Sequence, residues 1–181
     1  MTALSPAMPK VQVLEPKVFG DSRGWLFESY NRRAFAAATG VDVEFVQDNH
    51  TYSGHNVIRG LHYQVRHAQG KLVRVVTGEI FDVAVDLRRS SRDFGRWVGN
   101  RLSARDRRMA WIPAGFAHGF LVLSDAAEVL YKVTDYYAPG DERCLLWNDS
   151  RLGIAWPLEG APLLSARDAA GAGLDQAEVF P

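Results

Sequence analysis

Two of the five histidines stand beside glycines in mostly apolar, strand-like segments. They are His62, in Ile58-Arg-Gly-Leu-His-Tyr-Gln64, and His118, in Trp111-Ile-Pro-Ala-Gly-Phe-Ala-His-Gly-Phe120. An imidazole changes its charge near neutral pH, so a histidine that faces a cavity can take or give a proton. We interpret both as proton-handling or ligand-contacting residues. The alternative is that each is a core histidine satisfied by backbone groups.

A metal site is the other chemistry that two histidines suggest. The spacing Pro113-x-Gly115-x-x-His118 resembles the second motif of cupin barrels, in which a Pro-Gly turn feeds a strand that points its histidine inward. Metal cupins also carry a His-x-His pair and a Glu at the first motif, whereas this chain has His62-Tyr63-Gln64 and no Glu between Gln64 and Glu79. Zinc and iron take three or four protein ligands. The sequence therefore predicts no metal, and a metal-dependent cupin oxygenase using both histidines remains the alternative.

Two cations near the histidines suit an anionic ligand or a developing negative charge. Lys71 lies in Gln69-Gly-Lys-Leu-Val-Arg74, and Arg59 precedes His62 by three residues. Side chains three apart on a regular strand point to opposite faces. Arg59 and His62 can therefore share one cavity only if Gly60 permits a bulge or a sharp twist.

Polar residues also interrupt two other strand-like runs. Gln47 and Asn49 fall on one face of their run and Asp48 and His50 on the other, so we expect half of this quartet to be a solvated edge. Tyr131 could supply a second proton, but a tyrosine on a strand is more often a packing residue. The residues that share its face are Val133, Asp135 and Tyr137. The packing interpretation applies equally to Trp25, Phe27 and Phe120.

Short β-like runs separated by turn residues predict an all-β sandwich or barrel that positions these groups. The first run, Val11–Val18, is expected at a sheet edge because Pro16 cannot donate to an interior ladder. A turn at Gly20–Gly24 follows it. The other predicted strands are Trp25–Tyr30, Glu44–Thr51, Asn56–Gln64, Lys71–Thr77, Glu79–Leu87, Arg96–Leu102, Met109–Ile112, Ala117–Leu123, Glu128–Tyr136 and Cys144–Trp147.

Local patterns predict the finer structure of three segments. Alternation in Ile80–Leu87 predicts a strand with one buried side. Its buried face would carry Phe81, Val83, Val85 and Leu87, and its other face Asp82, Ala84 and Asp86. Asn31 can cap a short helix over Arg32–Ala38 that stops at Gly40, and Ser165 can cap another that runs to Ala170. We expect one domain over residues 1–181, with 1–12 and 171–181 as less regular ends.

Composition limits the partners of the chain. Its 181 residues hold 21 Lys+Arg and 21 Asp+Glu, so no overall basic field attracts nucleic acid or an anionic membrane. The longest uncharged stretch, Met109–Ser124, is too short to span a bilayer. One cysteine, Cys144, excludes an internal disulfide framework, and residues 1–10 lack an apolar run of signal-peptide length. We therefore expect a cytoplasmic protein without nucleic-acid or membrane partners.

Several segments together resemble the dTDP-4-dehydrorhamnose 3,5-epimerase family of deoxysugar nucleotide enzymes. The resemblance runs from about Val13 to near the C-terminus and is far more specific than the Pro-x-Gly-x-x-His spacing alone. The segments are Glu15-Pro-Lys-Val-Phe-Gly-Asp21, Phe45-Val-Gln-Asp-Asn-His50, Arg59-Gly-Leu-His62, Gly70-Lys-Leu-Val-Arg74, Ile112-Pro-Ala-Gly-Phe-Ala-His-Gly-Phe120, Leu130-Tyr-Lys132, Leu146-Trp-Asn-Asp149 and Leu164-Ser-Ala-Arg-Asp168.

The resemblance implies an all-β, cupin-type double-stranded β-helix (jelly roll) with a few short flanking helices and no metal or cofactor. It implies a homodimer whose N-terminal strands cross to the partner and help complete its site. The implied activity is epimerisation of dTDP-4-dehydro-6-deoxyglucose at C3 and C5 to dTDP-4-dehydro-L-rhamnose, in dTDP-L-rhamnose biosynthesis. The nearest alternatives are a single-centre 3- or 5-epimerase of another deoxysugar pathway, a cupin ketoisomerase, and a sugar-nucleotide binding module without turnover.

The resemblance also implies a role for each site residue. His62 would be the base, oriented by Asp168, and Tyr131 the acid on the opposite side of the sugar ring. The residues implied near the C4 oxygen are Lys71, Arg59 and His118. Those implied to hold the sugar nucleotide are Phe19, Arg23, Glu28, Gln47, Asn49, Tyr137, Glu142 and Arg167. Some family members carry Lys where this chain has Arg167, and both side chains are cations.

Overall fold

The computed structural model describes residues 1–4 and 10–181, and antiparallel strands dominate it. The strands are β1 (Thr2–Ala3), β2 (Gln12–Glu15), β3 (Val18–Asp21), β4 (Gly24–Phe27), β5 (Gln47–Gly54), β6 (Ile58–Gln64), β7 (Lys71–Thr77), β8 (Glu79–Asp86), β9 (Trp97–Ser103), β10 (Met109–Ile112), β11 (Phe116–Val122), β12 (Ala126–Val133) and β13 (Glu142–Cys144). The helices are α1 (Arg32–Thr39) and α2 (Ala166–Ala169). Each predicted strand overlaps an observed one.

Two sheets face each other and enclose the main core. One sheet has the order β1-β2-β10-β7-β12-β5 and the other the order β13-β6-β11-β8-β9. Strands that are neighbours in a sheet are often distant in sequence, as where β7 lies between β10 and β12. This arrangement is the predicted cupin-type jelly roll. The facing sheets contribute buried residues such as Val73, Val129, Ile80 and Phe120 to one apolar cluster.

Helix α1 covers the outer face of the six-stranded sheet, and its ends follow the predicted caps. The Asn31 side chain accepts a hydrogen bond from the Ala34 N–H, and Gly40 ends the helix with a φ of 72°. Phe35 is fully buried, and its ring meets Trp111 edge to face at a centroid distance of 5.1 Å. The helix is therefore held by local caps and by one aromatic anchor.

The one-sided burial predicted for Ile80–Leu87 is wrong. Asp82, Ala84 and Asp86, expected on an open face, are buried along with Val83 and Val85. Ala84 belongs to the core between the sheets, whereas Val83 and Val85 pack in a second apolar cluster on the other side. The C-terminal part of the chain builds that second cluster and covers the outer face of β8. Its contributions include Leu152, Trp156, Leu174 and Ala177.

Several predicted boundaries differ from those observed. The predicted edge strand Val11–Val18 is divided into β2 and the start of β3, and Pro16, which has no N–H to donate, lies between them. Strand β3 then pairs with β4 as a separate two-stranded sheet. Strand β13 ends at Cys144, where the sequence predicted a strand to begin. Within the described residues, no helix is long and apolar enough to cross a membrane.

Candidate active site

A cavity of about 380 Å³ opens between the two sheets and collects most of the predicted site residues. Strands from both sheets line it, so groups on opposite walls face each other. The predicted residues in its lining are Gln47, Asn49, Arg59, His62, Lys71, His118, Tyr131, Tyr137, Glu142 and Arg167. Four further lining residues were not predicted: Thr51, Tyr63, Gln64 and Gln69. Phe120 also lines the cavity, although it was predicted only as a packing residue.

Gly60 provides the distortion that brings Arg59 and His62 into one cavity. In the ladder between β6 and β11, His118 pairs with His62 but Phe120 pairs with Arg59, so β6 holds one extra residue. Gly60 has a φ of 120°, and a Cβ there would lie 2.6 Å from the Cα of Gly119. Only glycine fits this backbone and this close approach. The predicted bulge is confirmed.

His62 is held by a carboxylate behind it. Its Nε2 lies 2.6 Å from Oδ1 of Asp168, which is buried in helix α2. Burial raises the pKa of Asp168, but contacts with His62, Ser165 and the Gly60 N–H outweigh that effect and lower it below 3.8. An ionised carboxylate accepts only, so Nε2 is the protonated ring nitrogen. Nδ1, which has no hydrogen-bond partner in the described parts of the chain, keeps its lone pair.

Lys71 is a buried cation on the facing wall. Its Nζ donates to the backbone oxygen of His62 at 3.2 Å, and the residue is 7% exposed. Burial lowers the pKa of Lys71 to about 8, although Glu142 and Asp82 act against this shift. The amine therefore stays mostly protonated at neutral pH. It places a positive charge beside the His62 strand.

His118 has a buried acidic partner that the sequence analysis missed. Its Nε2 lies 2.7 Å from Oδ2 of Asp82, and both side chains are buried. Asp82 lies on β8 beside β11, although it was predicted only to lie on an exposed face. An acidic residue in an otherwise apolar strand was the available signal, because a buried carboxylate is rarely unpaired. The pair holds the His118 ring at the cavity wall.

Tyr131 lies on β12, across the cavity from the strand that carries His62. Burial raises the pKa of its phenol, and Glu142 adds to the effect while Arg59 opposes it. The hydroxyl thus remains protonated well above neutral pH.

Arg59 is held in place by hydrogen bonds from its Nε to the Ser53 hydroxyl at 2.7 Å and from its Nη2 to the Tyr52 carbonyl at 3.2 Å.

Polar pairs form the rim of the cavity. Glu142 accepts bonds from the Tyr137 hydroxyl at 2.6 Å and from Arg167 at 2.7 Å. On β5, Gln47 donates to Asn49 at 2.9 Å, and both side chains point into the cavity as the strand period predicted. The other face of β5 is the expected solvated edge, where Asp48 pairs with Lys132 and His50 with Glu128.

Three predicted binding residues lie outside this cavity. Phe19 and Arg23 belong to the β3–β4 hairpin, and Glu28 follows it and accepts a bond from Asn31. The hairpin rests on the outer side of the six-stranded sheet. Its Phe27 lies 5.3 Å from the guanidinium of Arg74, a residue that alternates with the inward-facing Val73 and Val75. A single chain therefore does not bring these three residues to its own site.

Metal-binding potential is concentrated around the same histidine. Among the described residues, one group of three possible ligands has its donor atoms within 4.8 Å of one another: His62, Cys144 and Asp168. His118 belongs to no such group of three among the described residues, and its Nε2 is bonded to Asp82.

The jelly roll holds three kinds of group in one cavity: the His62–Asp168 pair, the phenol of Tyr131 facing it, and the buried ammonium of Lys71. Together they define an enzyme site suited to moving protons beside a developing negative charge. The sequence model of the dTDP-4-dehydrorhamnose 3,5-epimerase family matches residues 5–176. A dTDP-4-dehydrorhamnose 3,5-epimerase from Pseudomonas aeruginosa is 61% identical over 181 residues, which are 100% of both chains. The chain belongs to this family and is an isomerase, an epimerase acting on carbohydrates.

Solved structures agree with that assignment. A dTDP-6-deoxy-D-glucose-3,5-epimerase from Legionella pneumophila, in complex with dTDP-4-keto-L-rhamnose, is similar with a TM-score of 0.95 and 45% identity, covering 98% of this chain and 94% of that one. A 3'-monoepimerase from Streptomyces bikiniensis, in complex with dTDP-quinovose, has a TM-score of 0.88 and 34% identity, covering 97% and 88%. The fold is thus shared by two-centre and single-centre epimerases.

Proposed function

We propose that this protein converts dTDP-4-dehydro-6-deoxyglucose to dTDP-4-dehydro-L-rhamnose by inverting C3 and C5, as a step of dTDP-L-rhamnose biosynthesis in the cytoplasm. One observation carries the proposal. A base held by a carboxylate and a protonated phenol stand on opposite walls of one cavity, and a buried ammonium lies beside them. The single cysteine and the sugar-nucleotide substrate support the cytoplasmic location.

The substrate explains why this set of groups is needed. In a 4-keto sugar both C3 and C5 are α to the carbonyl. Either proton can leave to form an enolate whose charge collects on the C4 oxygen. One stabilised oxygen therefore serves both centres. Inversion further requires that the new proton arrives on the face opposite the one that lost it, so two proton-transfer groups are needed.

His62 takes the proton from carbon. Asp168 holds Nε2–H and thereby fixes the tautomer that keeps the Nδ1 lone pair available. When Nδ1 becomes protonated, the same carboxylate stabilises the imidazolium. A neutral imidazole is a weak base against a carbon acid, so proton removal also depends on stabilising the enolate.

Lys71 and Arg59 stabilise the enolate oxygen. Lys71 and Arg59 carry fixed positive charge in a partly enclosed site, where losing one such donor costs about 3 kcal/mol of transition-state stabilisation. His118, held by Asp82 at the cavity wall, lies nearby. Each charge and proton in this scheme is assigned to a side chain. The reaction therefore needs no metal or cofactor.

Tyr131 returns the proton on the opposite face. Its position on the wall facing β6 supports that direction, and its raised pKa supports a phenol that stays protonated until the enolate needs it. Gln47, Asn49, Tyr137, Glu142 and Arg167 line the rim, where they would contact the sugar nucleotide.

The working unit is a homodimer with exchanged N-terminal strands. Phe19, Arg23 and Glu28 would hold the nucleotide in the partner's cavity. Support comes from the β3–β4 hairpin, on which Phe19 is 52%, Trp25 57% and Leu26 67% exposed in one chain. A monomer rarely leaves so many large apolar side chains in contact with water on one small element.

A deuterium assay tests the reaction. The enzyme is incubated with dTDP-4-dehydro-6-deoxyglucose in deuterated water, and NMR assigns label and configuration at C3 and C5. Label and inversion at both carbons are expected. Change at only one carbon would instead establish the single-centre alternative, and unlabelled substrate would establish a binding module without turnover.

Mixed dimers test the exchange of strands. Arg23→Ala and His62→Ala homodimers should each be inactive, whereas a verified heterodimer of the two variants should regain about one working site. The recovered site combines His62 of one subunit with the other subunit's intact arginine. An inactive heterodimer would place Arg23 in the site of its own chain.

A further inference from the structure

The thiol of Cys144 lies beside the His62 and Asp168 pair. Cys144 is directly opposite His62 in the ladder between β13 and β6, so their side chains share one face. Its Sγ is 3.9 Å from Oδ1 of Asp168, which is itself 2.6 Å from Nε2 of His62. Three donor atoms of different chemistry, from two neighbouring strands and a helix, thus converge. We refer to these residues as the His62–Cys144–Asp168 cluster.

Thiolate, imidazole and carboxylate are ligands that zinc and similar cations accept together. We propose that the His62–Cys144–Asp168 cluster is an inhibitory site for a thiophilic divalent cation of the Zn²⁺ or Cd²⁺ type. Tetrahedral zinc places its ligand atoms roughly 3.3 to 3.6 Å apart, as follows from metal–ligand distances of about 2.0 to 2.3 Å. The sulfur and the carboxylate oxygen, 3.9 Å apart, are already close to that spacing. The nitrogen, 2.6 Å from the oxygen, must move away from it, and the three donor atoms, which lie within 4.8 Å of one another, must draw together around the cation.

The surroundings favour a cation. Asp168 is only 4% exposed, so its carboxylate has little competing solvent, and the partly exposed His62 ring connects the cluster to the cavity. A cation can therefore enter through the substrate cavity, from which water would provide the fourth ligand.

Coordination removes the base. The cation takes electron pairs from Sγ, Nε2 and Oδ1, the thiol proton leaves to solvent, and the ring proton moves from Nε2 to Nδ1. With Nδ1 protonated, the imidazole has no lone pair with which to accept a proton from carbon. This inhibition rests on the proposed role of His62, whereas binding of the cation does not.

Cadmium titration of the full-length enzyme tests binding directly. A cadmium–thiolate bond gives an ultraviolet charge-transfer absorption, and Cys144 is the single cysteine of the sequence, so any such band reports this residue. One equivalent of Cd²⁺ should produce the band. Cys144→Ser should remove it and weaken Cd²⁺ binding by about 100-fold or more, since even changes around a metal site cost 10- to 100-fold. His62→Ala should keep a band but require much higher Cd²⁺.

Inhibition is measured on enzyme loaded with Zn²⁺ and then assayed for epimerisation, with EDTA reversal. Cys144→Ser should keep basal turnover but resist Zn²⁺. His67→Asn is the control, because it removes a surface histidine that is paired with Asp135 and lies outside the cluster. The backbone of His67 has a positive φ, which asparagine tolerates. Its inhibition should match the unaltered enzyme. Absence of the band, or equal Zn²⁺ inhibition of Cys144→Ser, would overturn the site. A charge-transfer band without inhibition would confirm cation binding and contradict the role of His62 as the base. If Cys144→Ser fails to fold in a thermal melt, Cys144→Ala replaces it.

Discussion

Replacing Lys71 with methionine should make the protein more stable and less active. Lys71 is buried, and its pKa falls from 10.5 to about 8 on folding because burial disfavours the ammonium. At about 1.4 kcal/mol for each factor of ten in the dissociation constant, the charged amine costs the fold about 3 kcal/mol at neutral pH. Losing the bond from Nζ to the His62 carbonyl offsets about 1 kcal/mol. Lys71→Met should therefore raise the free energy of unfolding by about 2 kcal/mol.

The pH dependence identifies the cause. Below about pH 8 the folded and unfolded amines are both protonated, so the full penalty is present. Between about 8 and 10.5 only the unfolded amine keeps its proton, and the stability of the unaltered protein rises with pH. The difference in the free energy of unfolding between Lys71→Met and the unaltered protein should accordingly shrink as the pH rises across that window. Equilibrium urea unfolding from pH 7 to 10.5 measures this difference.

Activity should change in the other direction. If the ammonium stabilises the enolate, Lys71→Met loses about 3 kcal/mol of that stabilisation, or about 100-fold in kcat. Lys132→Met is the matched control, since Lys132 lies on the next strand and pairs with the exposed Asp48. It should keep its kcat and change stability by less than about 1 kcal/mol. A Lys71→Met variant that is less stable at pH 7, or that turns over normally, would refute the reasoning.

Three further substitutions test the site. Asp168→Asn should lower kcat by about 10³- to 10⁴-fold with little change in KM, because an amide no longer fixes the His62 tautomer; a large rise in KM at constant kcat would make Asp168 a substrate contact. The same variant should lose less stability as the pH falls below about 3.8, since the lowered pKa of Asp168 gives a contribution that is present above that pH and disappears on protonation. Tyr131→Phe should fold and should incorporate deuterium at C3 or C5 with little net inversion in the NMR assay, whereas full epimerisation would return Tyr131 to a packing role. Gly60→Ala should lower the free energy of unfolding by about 2 to 4 kcal/mol, because the φ of Gly60 is 120° and a Cβ there would strike Gly119. Gly54→Ala is the control and should cost less than about 1 kcal/mol, because nothing lies within 4 Å of a Cβ at that position. Equal losses in urea unfolding would contradict the bulge argument.

Features that depend on a few neighbouring residues could be predicted from the sequence. Helix α1 begins after Asn31 and ends at Gly40 as predicted, since a cap uses backbone groups within one turn. Strand periodicity predicted a bulge or a sharp twist at Gly60 if Arg59 and His62 share a cavity, and the structure has the bulge. The residue types of the site were also readable, since proton transfer beside an enolate needs few kinds of side chain.

Features that depend on distant parts of the chain required the tertiary structure. Both faces of β8 are buried because the C-terminal segment packs on its outer side, and the alternation of β8 carries no record of that cover. Asp82 was placed on an open face for the same reason, although it bonds to His118 across 36 positions. Strand pairing brings Asp82 beside the strand of His118, whereas the packing of helix α2 brings Asp168 to His62. Pairing is a property of the closed sheets, because only their mutual burial of apolar surface makes one register more stable than the others.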